Sequence, residues 1–470
     1  MPIIDIPINQ GTVLSDVQGV ADQQCDNMYT SNGNVISAPG YDRQLTYGVN
    51  AGSSIRGLIS AGVDVSIGNA YTVSFNKMYE ISVFQNGTMS SLEILPFNPA
   101  DILDSWQSRV EMAYNSDYVV IVSDGEGYYY ERGLGITYKK IVDPDFKANG
   151  DPVSVTFIDG YFAFSTDENK VIVSALNDPS SYNALDFASA EYDPDGIVKV
   201  VNSGNQLVVL GEGTIEFFRN IGGTGFPFQR VNGLFYDVGC TSRESVVKTD
   251  SAIYFIGAGR NSPKSVYSIS GSSLKRVGNF TTDKLLHESS TTIFEGISYA
   301  DRDSSFFGFN LGDKTMFIDE TSGLIHTRTS NSGKFDPGIA INVNDRIVYG
   351  SSVAGYIGLL SRDIYTEAGN SIYRTITSQT VPTDGSRYVN NSVELIMETG
   401  DGDYSVALSF SDDGSKNFSD QRSRSTGGIG EYSQKIKWRR CGSFNRWRVF
   451  KLDFSFQNDV LISSLRAFIK

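Results

Sequence analysis

The 470-residue chain has only three cysteines, Cys25, Cys240 and Cys441, and two histidines, His287 and His326. Cysteines so few and scattered cannot build a disulfide framework, and with two distant histidines they cannot cluster as zinc ligands. No metal and no cofactor is expected from this set. No stretch approaches the ~18 consecutive apolar residues of a spanning helix, so no membrane span is expected. The opening MPIIDIPINQ lacks a basic flank and a long apolar run, so no secretory signal is predicted. The sequons at Asn86 and Asn279 then have no route to glycosylation. Positive charge is also scarce: 39 Lys and Arg face 54 Asp and Glu, a formal net charge of −15. That balance disfavours non-specific binding to DNA or acidic lipid.

What the chain does have is 40% apolar residues, 12% aromatics and 47 glycines. This is the composition of a folded protein built from strands and turns. A single hydrophobic core stops growing near ~250–300 residues, so two or three domains are expected.

One unit recurs: an apolar strand, a short polar turn and a second strand. It begins at Ala70, Asp117, Gly160, Asn205, Ser251, Ser304 and Asp345, at intervals of 47, 43, 45, 46, 53 and 41 residues. Several copies carry turn chemistry at their centre, as in Asp124-Gly125, Gly211–Gly213 and Gly312-Asp313. Paired strands at a period in the forties predict a β-propeller, in which each blade buries its faces against its neighbours. A large sandwich of unrelated hairpins is the competing architecture. The predicted fold is all-β: a propeller-like body of six or seven blades over 51–374, a C-terminal β-sandwich over 375–470, and an extended N-terminal arm over 1–50. The sandwich reading rests on five strand-like segments separated by Gly/Ser/Asp turns. The arm reading rests on NMYTSNGN and APGYDR, with a turn expected at Pro39-Gly40.

Chemistry-bearing constellations are few. His287 and His326 lie 39 residues apart, with no nucleophile–base arrangement around them. SDDGSKNF (411–418) lacks the Asp-box spacing of sialidases and reads as a hairpin turn. YDPDGI (192–197) lacks the EF-hand spacing and its terminal Glu and also reads as a turn. GAGRNS (257–262) carries no Lys and lies between strands, which excludes a phosphate loop. A glycosidase-type carboxylate pair cannot be read from spacing alone, so a propeller-fold glycan-degrading or glycan-binding protein stays open, as does an adhesin.

The densest signal is WRRCGSFNRWRVFKLDF (438–454). Between Lys416 and Lys451 ten Lys/Arg face two acids, a local net of +8 that leaves −23 for the remainder. Arg alternating with Trp could stack on bases or grip phosphate. Equally, Arg stems cover aromatic faces and pair with acids across an interface, and the interface reading is preferred here. Along RWRVFKLDFSF, Phe450, Leu452, Phe454 and Phe456 share one face at period two, with Val449, Lys451, Asp453 and Ser455 on the other.

Trp438, Arg440, Gly442, Arg446, Phe450, Lys451 and Leu452 form a pattern that resembles the C-terminal signature of the packaged-DNA stabilization proteins, the tail hub or nozzle of short-tailed bacteriophages. PDGIVKVVNSGNQLVVLGEGTIEFF (194–218), SPKSVYSISGSS (262–273) and the NMY…APGY segment are similar to the same family. The resemblance implies a virion structural protein, not an enzyme, made in the host cytoplasm and assembled into the phage tail. It implies a homohexamer below the portal and head-to-tail adaptor ring, in contact with a tail needle or plug and with tailspikes or fibres. DNA would pass through the channel without specific binding. The expected interface residues are Trp438, Arg439, Arg440, Gly442, Arg446, Arg448 and Phe450.

If Phe450 faces a core, Phe450→Ala should cost about 3–5 kcal/mol through lost burial and a cavity. The melting temperature of the purified chain checks this; an unshifted curve would refute the face assignment.

Overall fold

The computed structural model describes residues 3–16, 22–49, 53–64, 67–104, 108–189, 195–223, 225–302, 304–331, 333–383 and 385–470. Seven antiparallel units follow one another at 55–96, 111–140, 152–189, 197–236, 239–276, 296–328 and 337–361. Each predicted hairpin is the middle pair of strands of one unit. The strands Tyr118–Ser123 and Gln206–Gly211 are almost wholly buried, because neighbouring units cover both of their faces. Continuous apolar runs such as YVVIVS follow from that two-sided burial rather than from alternation. Asp124 and Gly125 both take positive φ (47° and 73°), as the tight hairpin turn there requires.

The inner strands Ile55–Asp64, Glu111–Tyr114, Pro152–Ile158, Ile197–Ser203, Val247–Lys248, Gly296–Asp301 and Pro337–Val343 stand around one axis, the last packed against the first. The body is therefore a closed propeller of seven blades. Blades 1 and 2 are also joined at their outer edges, where Met89–Pro96 pairs in parallel with Thr137–Lys140.

The described residues of the first 50, expected as an extended arm, are built into the two units as strands. Blade 7 supplies three strands of its own and takes its outer ones from Gly40–Tyr41 and Leu45–Gly48, which pair with Gly355–Ser361. A Cβ at Gly40 would run into the carbonyl oxygens of Ile364 and Thr366, so the approach requires glycine. Upstream, Met28–Ser31 and Asn34–Ser37 form a hairpin whose turn is Asn32-Gly33, with φ of 49° and 78°. The turn expected at Pro39-Gly40 is instead the lead into the blade-7 strand, because Asn-Gly tolerates paired positive φ and proline does not.

The C-terminal sandwich has two sheets. One carries Met28–Ser31, Asn34–Ser37, Leu461–Ile469, Tyr388–Met397 and Ile436–Arg439, with Ile3–Ile6 also paired to Leu461–Ile469. The other carries Arg374–Thr377, Trp447–Phe454, Ser405–Ser411 and Arg422–Ser425, and it continues into blade 6 through Cys25–Asp26. That two-residue strand pairs in parallel with Ile325–Arg328 and antiparallel with Arg374–Thr377. Phe450, Leu452, Phe454 and Phe456 lie in the sandwich core, as their period-two pattern implies. The opposite face is partly enclosed: Val449 and Asp453 are buried, Lys451 is half-buried and Ser455 is exposed. Trp447–Phe454 is a central strand, and Asp453 accepts hydrogen bonds from Thr375 (2.8 Å) and Gln421 (3.0 Å).

His326 is buried against Phe317, stacked at 5.4 Å, and against Phe306 and Tyr29. Burial, reinforced by the nearby Arg328 charge, pushes its pKa down to about 3. The unfolded chain takes up this proton near pH 6.5 and the folded chain does not. Its contribution is thus complete above pH 6.5 and is lost as pH falls from there toward 3. His326→Phe should remove that dependence, so the melting-temperature gap between wild type and variant should shift against wild type from pH 7 to pH 5. A pH-independent gap would show that the ring does not titrate as described.

Candidate functional site

Two places gather polar side chains: the propeller axis and the edge of the sandwich. The axial cavity has a volume of about 1050 Å³ and is lined by residues from all seven inner strands. One mouth is crossed by side chains. Glu111 of blade 2 pairs with Lys199 of blade 4 at 2.8 Å and with Arg243 of blade 5 at 3.7 Å. Arg243 also pairs with Glu244 at 3.2 Å and donates to the Val153 carbonyl of blade 3 at 2.9 Å. Arg109, just ahead of blade 2, donates to the Gly296 carbonyl at 3.0 Å and to that of Gly338. It also sits 3.7 Å from Glu295, which Lys334 approaches at 3.3 Å. Burial pushes the Glu295 carboxyl up, but Arg109 and Lys334 outweigh it and hold the group below its ordinary value. Blades 2 to 7 are thereby tied across the axis. Among the described residues, Glu111 and Asp250 are the carboxylates lining the cavity, while Glu244 and Glu295 stand at its mouth in ion pairs. No group of three or more His, Cys, Asp or Glu among the described residues could hold a metal ion.

On the sandwich, the residues of WRRCGSFNRWRVF separate sharply by environment. Trp438 is fully buried and donates its indole N–H to the Arg422 carbonyl. Arg448 is buried as well: its guanidinium grips both carboxylate oxygens of Asp412 (2.6 and 2.7 Å) and the Cys441 carbonyl. It lies over the rings of Phe410 and Phe444 at 4.0 and 4.5 Å. Phe450 is core. Arg440 (φ 56°) and Gly442 (φ 73°) form the connection that reverses the chain. Burial raises the pKa of Cys441, against the pull of Arg422, and all three cysteines are free and buried. Arg439, Arg440 and Arg446 are exposed, and Arg446 lies 3.9 Å over the Trp447 ring. The motif thus holds Trp438, Arg448 and Phe450 inside the sandwich and sets Arg439, Arg440 and Arg446 on its surface.

Sequence reasoning missed Arg422 and Asp412. Arg422 donates to the Arg439 and Arg440 carbonyls and closes the seam between the two sheets. Asp412 lies in the SDDGSKNF stretch, for which the sequence predicts only a turn. SDDGSKNF is a turn, held by Asp413 accepting from the backbone of Lys416 and Asn417 and from the Ser411 hydroxyl. These bonds pull the Asp413 pKa well down. In YDPDGI, residues 192–194 lie outside the described residues; Asp195 accepts from the backbone N–H groups of Gly213 and Thr214 and staples that turn. GAGRNS connects two strands of blade 5.

The family described as "Bacteriophage P22 Gp10, beta-propeller" matches residues 4–365, and "Bacteriophage P22 Gp10, beta-sandwich" matches 373–470. The chain belongs to the bacteriophage P22 Gp10 family. Members of the Gp10 family are phage tail structural proteins, so this chain is a component of a phage tail. No curated protein matches it. Similar solved structures include the WD40 β-propeller domain of Doa1, 12% identical, covering 69% of this chain and 97% of that one at a TM-score of 0.41. The computationally designed Ika8 protein is 12% identical, covers 75% and 99%, and has a TM-score of 0.37. No helix among the described residues is long and apolar enough to cross a membrane.

Within this Gp10-family sandwich the arginines should part in mutational behaviour. Arg448→Ala strips partners from the Cys441 carbonyl and from Asp412, whose partial exposure softens the loss, so roughly 2–3 kcal/mol of destabilisation is expected. Arg439→Ala should stay within about 0.5 kcal/mol of wild type. Urea unfolding checks both, and equal effects would contradict the burial assignment.

Proposed function

We propose that the chain is the hub, or nozzle, of a short phage tail, a ring of six copies that extends the portal channel and helps retain the packaged genome. Its neighbours in this reading are the adaptor ring and portal above, the needle that plugs the channel, and the tailspikes or fibres around it. The observation that carries the reading is the collinear family match across both structural units, with little of the chain left over for another role. The axis of the single propeller supports it from another side. A cavity of about 1050 Å³ has the volume of a small-molecule pocket, ~300–1,000 Å³, and one mouth is crossed by ion pairs. Duplex DNA has no path through it, so the conduit lies between copies rather than within one.

Chemistry is not needed for this role. Retention follows from narrowing and completing a plugged channel. A wall built from chains of net charge −15 repels a duplex that carries one negative charge per ~1.7 Å, and screening confines that repulsion to within about 8 Å at physiological salt.

Electron micrographs of assembled tails should show six-fold rings containing this chain. The isolated protein should show no measurable duplex affinity at about 0.15 M salt, where basic non-specific binders reach ~10⁻⁴–10⁻⁶ M. Micromolar binding with a steep salt slope, lost on substituting Arg439, Arg440 and Arg446, would make the sandwich a DNA clamp instead.

A further inference from the structure

Charge is divided between opposite sides of the molecule. Residues 422–446, the seam between the two sandwich sheets, carry seven Lys/Arg and one acid, Glu431. Arg424, Lys435, Arg439 and Arg440 are exposed there, and Lys435, Arg439 and Arg440 make no ion pair among the described residues. The loop beside them presents Ile429 (86% exposed) and Tyr432 (75%). It is held in place by backbone contacts: Gly430 donates to the Gly400 carbonyl at 2.8 Å and the Thr399 hydroxyl to that of Glu431 at 2.9 Å. A fixed loop with apolar tips inside a cationic rim has the anatomy of a protein contact, where a few apolar anchors are surrounded by polar groups.

Its complement lies across the propeller. Blades 2 and 3, residues 111–189, carry thirteen Asp/Glu against five Lys/Arg. On their outer rim Val142 (80% exposed) and Leu185 (81%) stand beside Asp145 and Asp186. The rim is one surface, because Tyr182 donates its backbone N–H to Asp143 at 2.9 Å and Asn149 donates to the Ala184 carbonyl at 2.8 Å. The sandwich is fused to blade 6 through Cys25–Asp26. In a ring of seven, blades 2 and 3 are each three steps from blade 6, the farthest positions available.

We infer that the basic, apolar-tipped seam of the sandwich docks on the acidic outer rim of blades 2 and 3 of a second copy of this chain. The contact joins unlike surfaces on opposite sides of each copy, so it repeats head to tail and closes into a ring when the rotation per copy permits. This deepens the tail-hub reading and rests on it for closure. Opposite charge steers the encounter, and Ile429, Tyr432, Val142 and Leu185 supply the desolvated centre.

A double variant, Ile429→Cys with Leu185→Cys, tests the contact in assembled tails treated with a flexible bis-maleimide. Background is low because the three native cysteines are buried. The expected result is a ladder of chain multiples on denaturing gels, with each single variant remaining at one chain length because like surfaces do not meet. Adding Arg439→Glu and Arg440→Glu should abolish the ladder. Dimers from either single variant would mean a symmetric contact and would overturn the inference. Rings in micrographs without a ladder would overturn this contact while leaving the hub reading intact; tails without rings of this chain would overturn that reading as well. Loss of the ladder together with duplex binding that depends on Arg439 and Arg440 would assign the seam to DNA.

Discussion

The architecture depends on three residues inserted between the two structural units. Cys25 and Asp26 form a strand only two residues long, yet it is the strand that makes blade 6 and one sandwich sheet continuous. Asn27 follows in the left-handed region (φ 58°), where asparagine is better tolerated than most residues. Its side chain accepts from Arg328 at 3.1 Å and donates to the Tyr373 carbonyl at 2.8 Å, touching the propeller on one side and the sandwich strand region on the other. Without this insertion the two units would meet through exposed sheet edges, a geometry that favours promiscuous pairing.

The junction is electrostatically demanding. Arg328, Arg374 and Glu367 are withdrawn from water there, and Asp26 beside them is half-buried. Burial raises Asp26 and Glu367 and, with Arg328 nearby, pushes Arg374 down to about 10. Arg328 rests 4.3 Å over the Phe335 ring and donates to the Pro39 carbonyl, and Arg374 donates to the Phe456 carbonyl at 3.0 Å. Such groups are costly unless paired, and Arg328 and Glu367 stand 3.6 Å apart, so the junction adds little to stability. A rigid joint has a functional meaning in a tail component. It fixes the angle between propeller and sandwich, and with it the angle between any surfaces the two present to neighbours.

The same economy of position explains the arginine-rich segment. Arg446 and Arg448 are two residues apart on the way into one strand, yet one is exposed over Trp447 and the other is enclosed by Asp412, Phe410 and Phe444. Identical side chains serve packing in one case and surface charge in the other. The axial ion pairs follow a third pattern, in which charges from the ends of inner strands neutralise one another across the propeller mouth.

The sequence alone determined the blades, because each is a local unit whose hairpins recur at a period in the forties and whose apolar runs meet neighbours on both faces. It also determined the core face of the last strands, since alternation at Phe450, Leu452 and Phe454 is a property of adjacent residues. Family membership was legible in motifs for the same reason. Tertiary structure decided what depends on partners distant in the chain. The N-terminal residues read as an arm because their strands are short and, the Met28–Ser37 hairpin apart, their partners lie more than 300 residues away; Asn27 and Arg328 are separated by 301 positions. The second buried face of Trp447–Phe454 was hidden because a central strand's polar residues, such as Asp453, look solvent-facing until Thr375 and Gln421 are placed beside them. Which arginines of the tail are enclosed was likewise undecidable from type and spacing, because enclosure of Arg448 needs Asp412 and Phe410 from outside the segment.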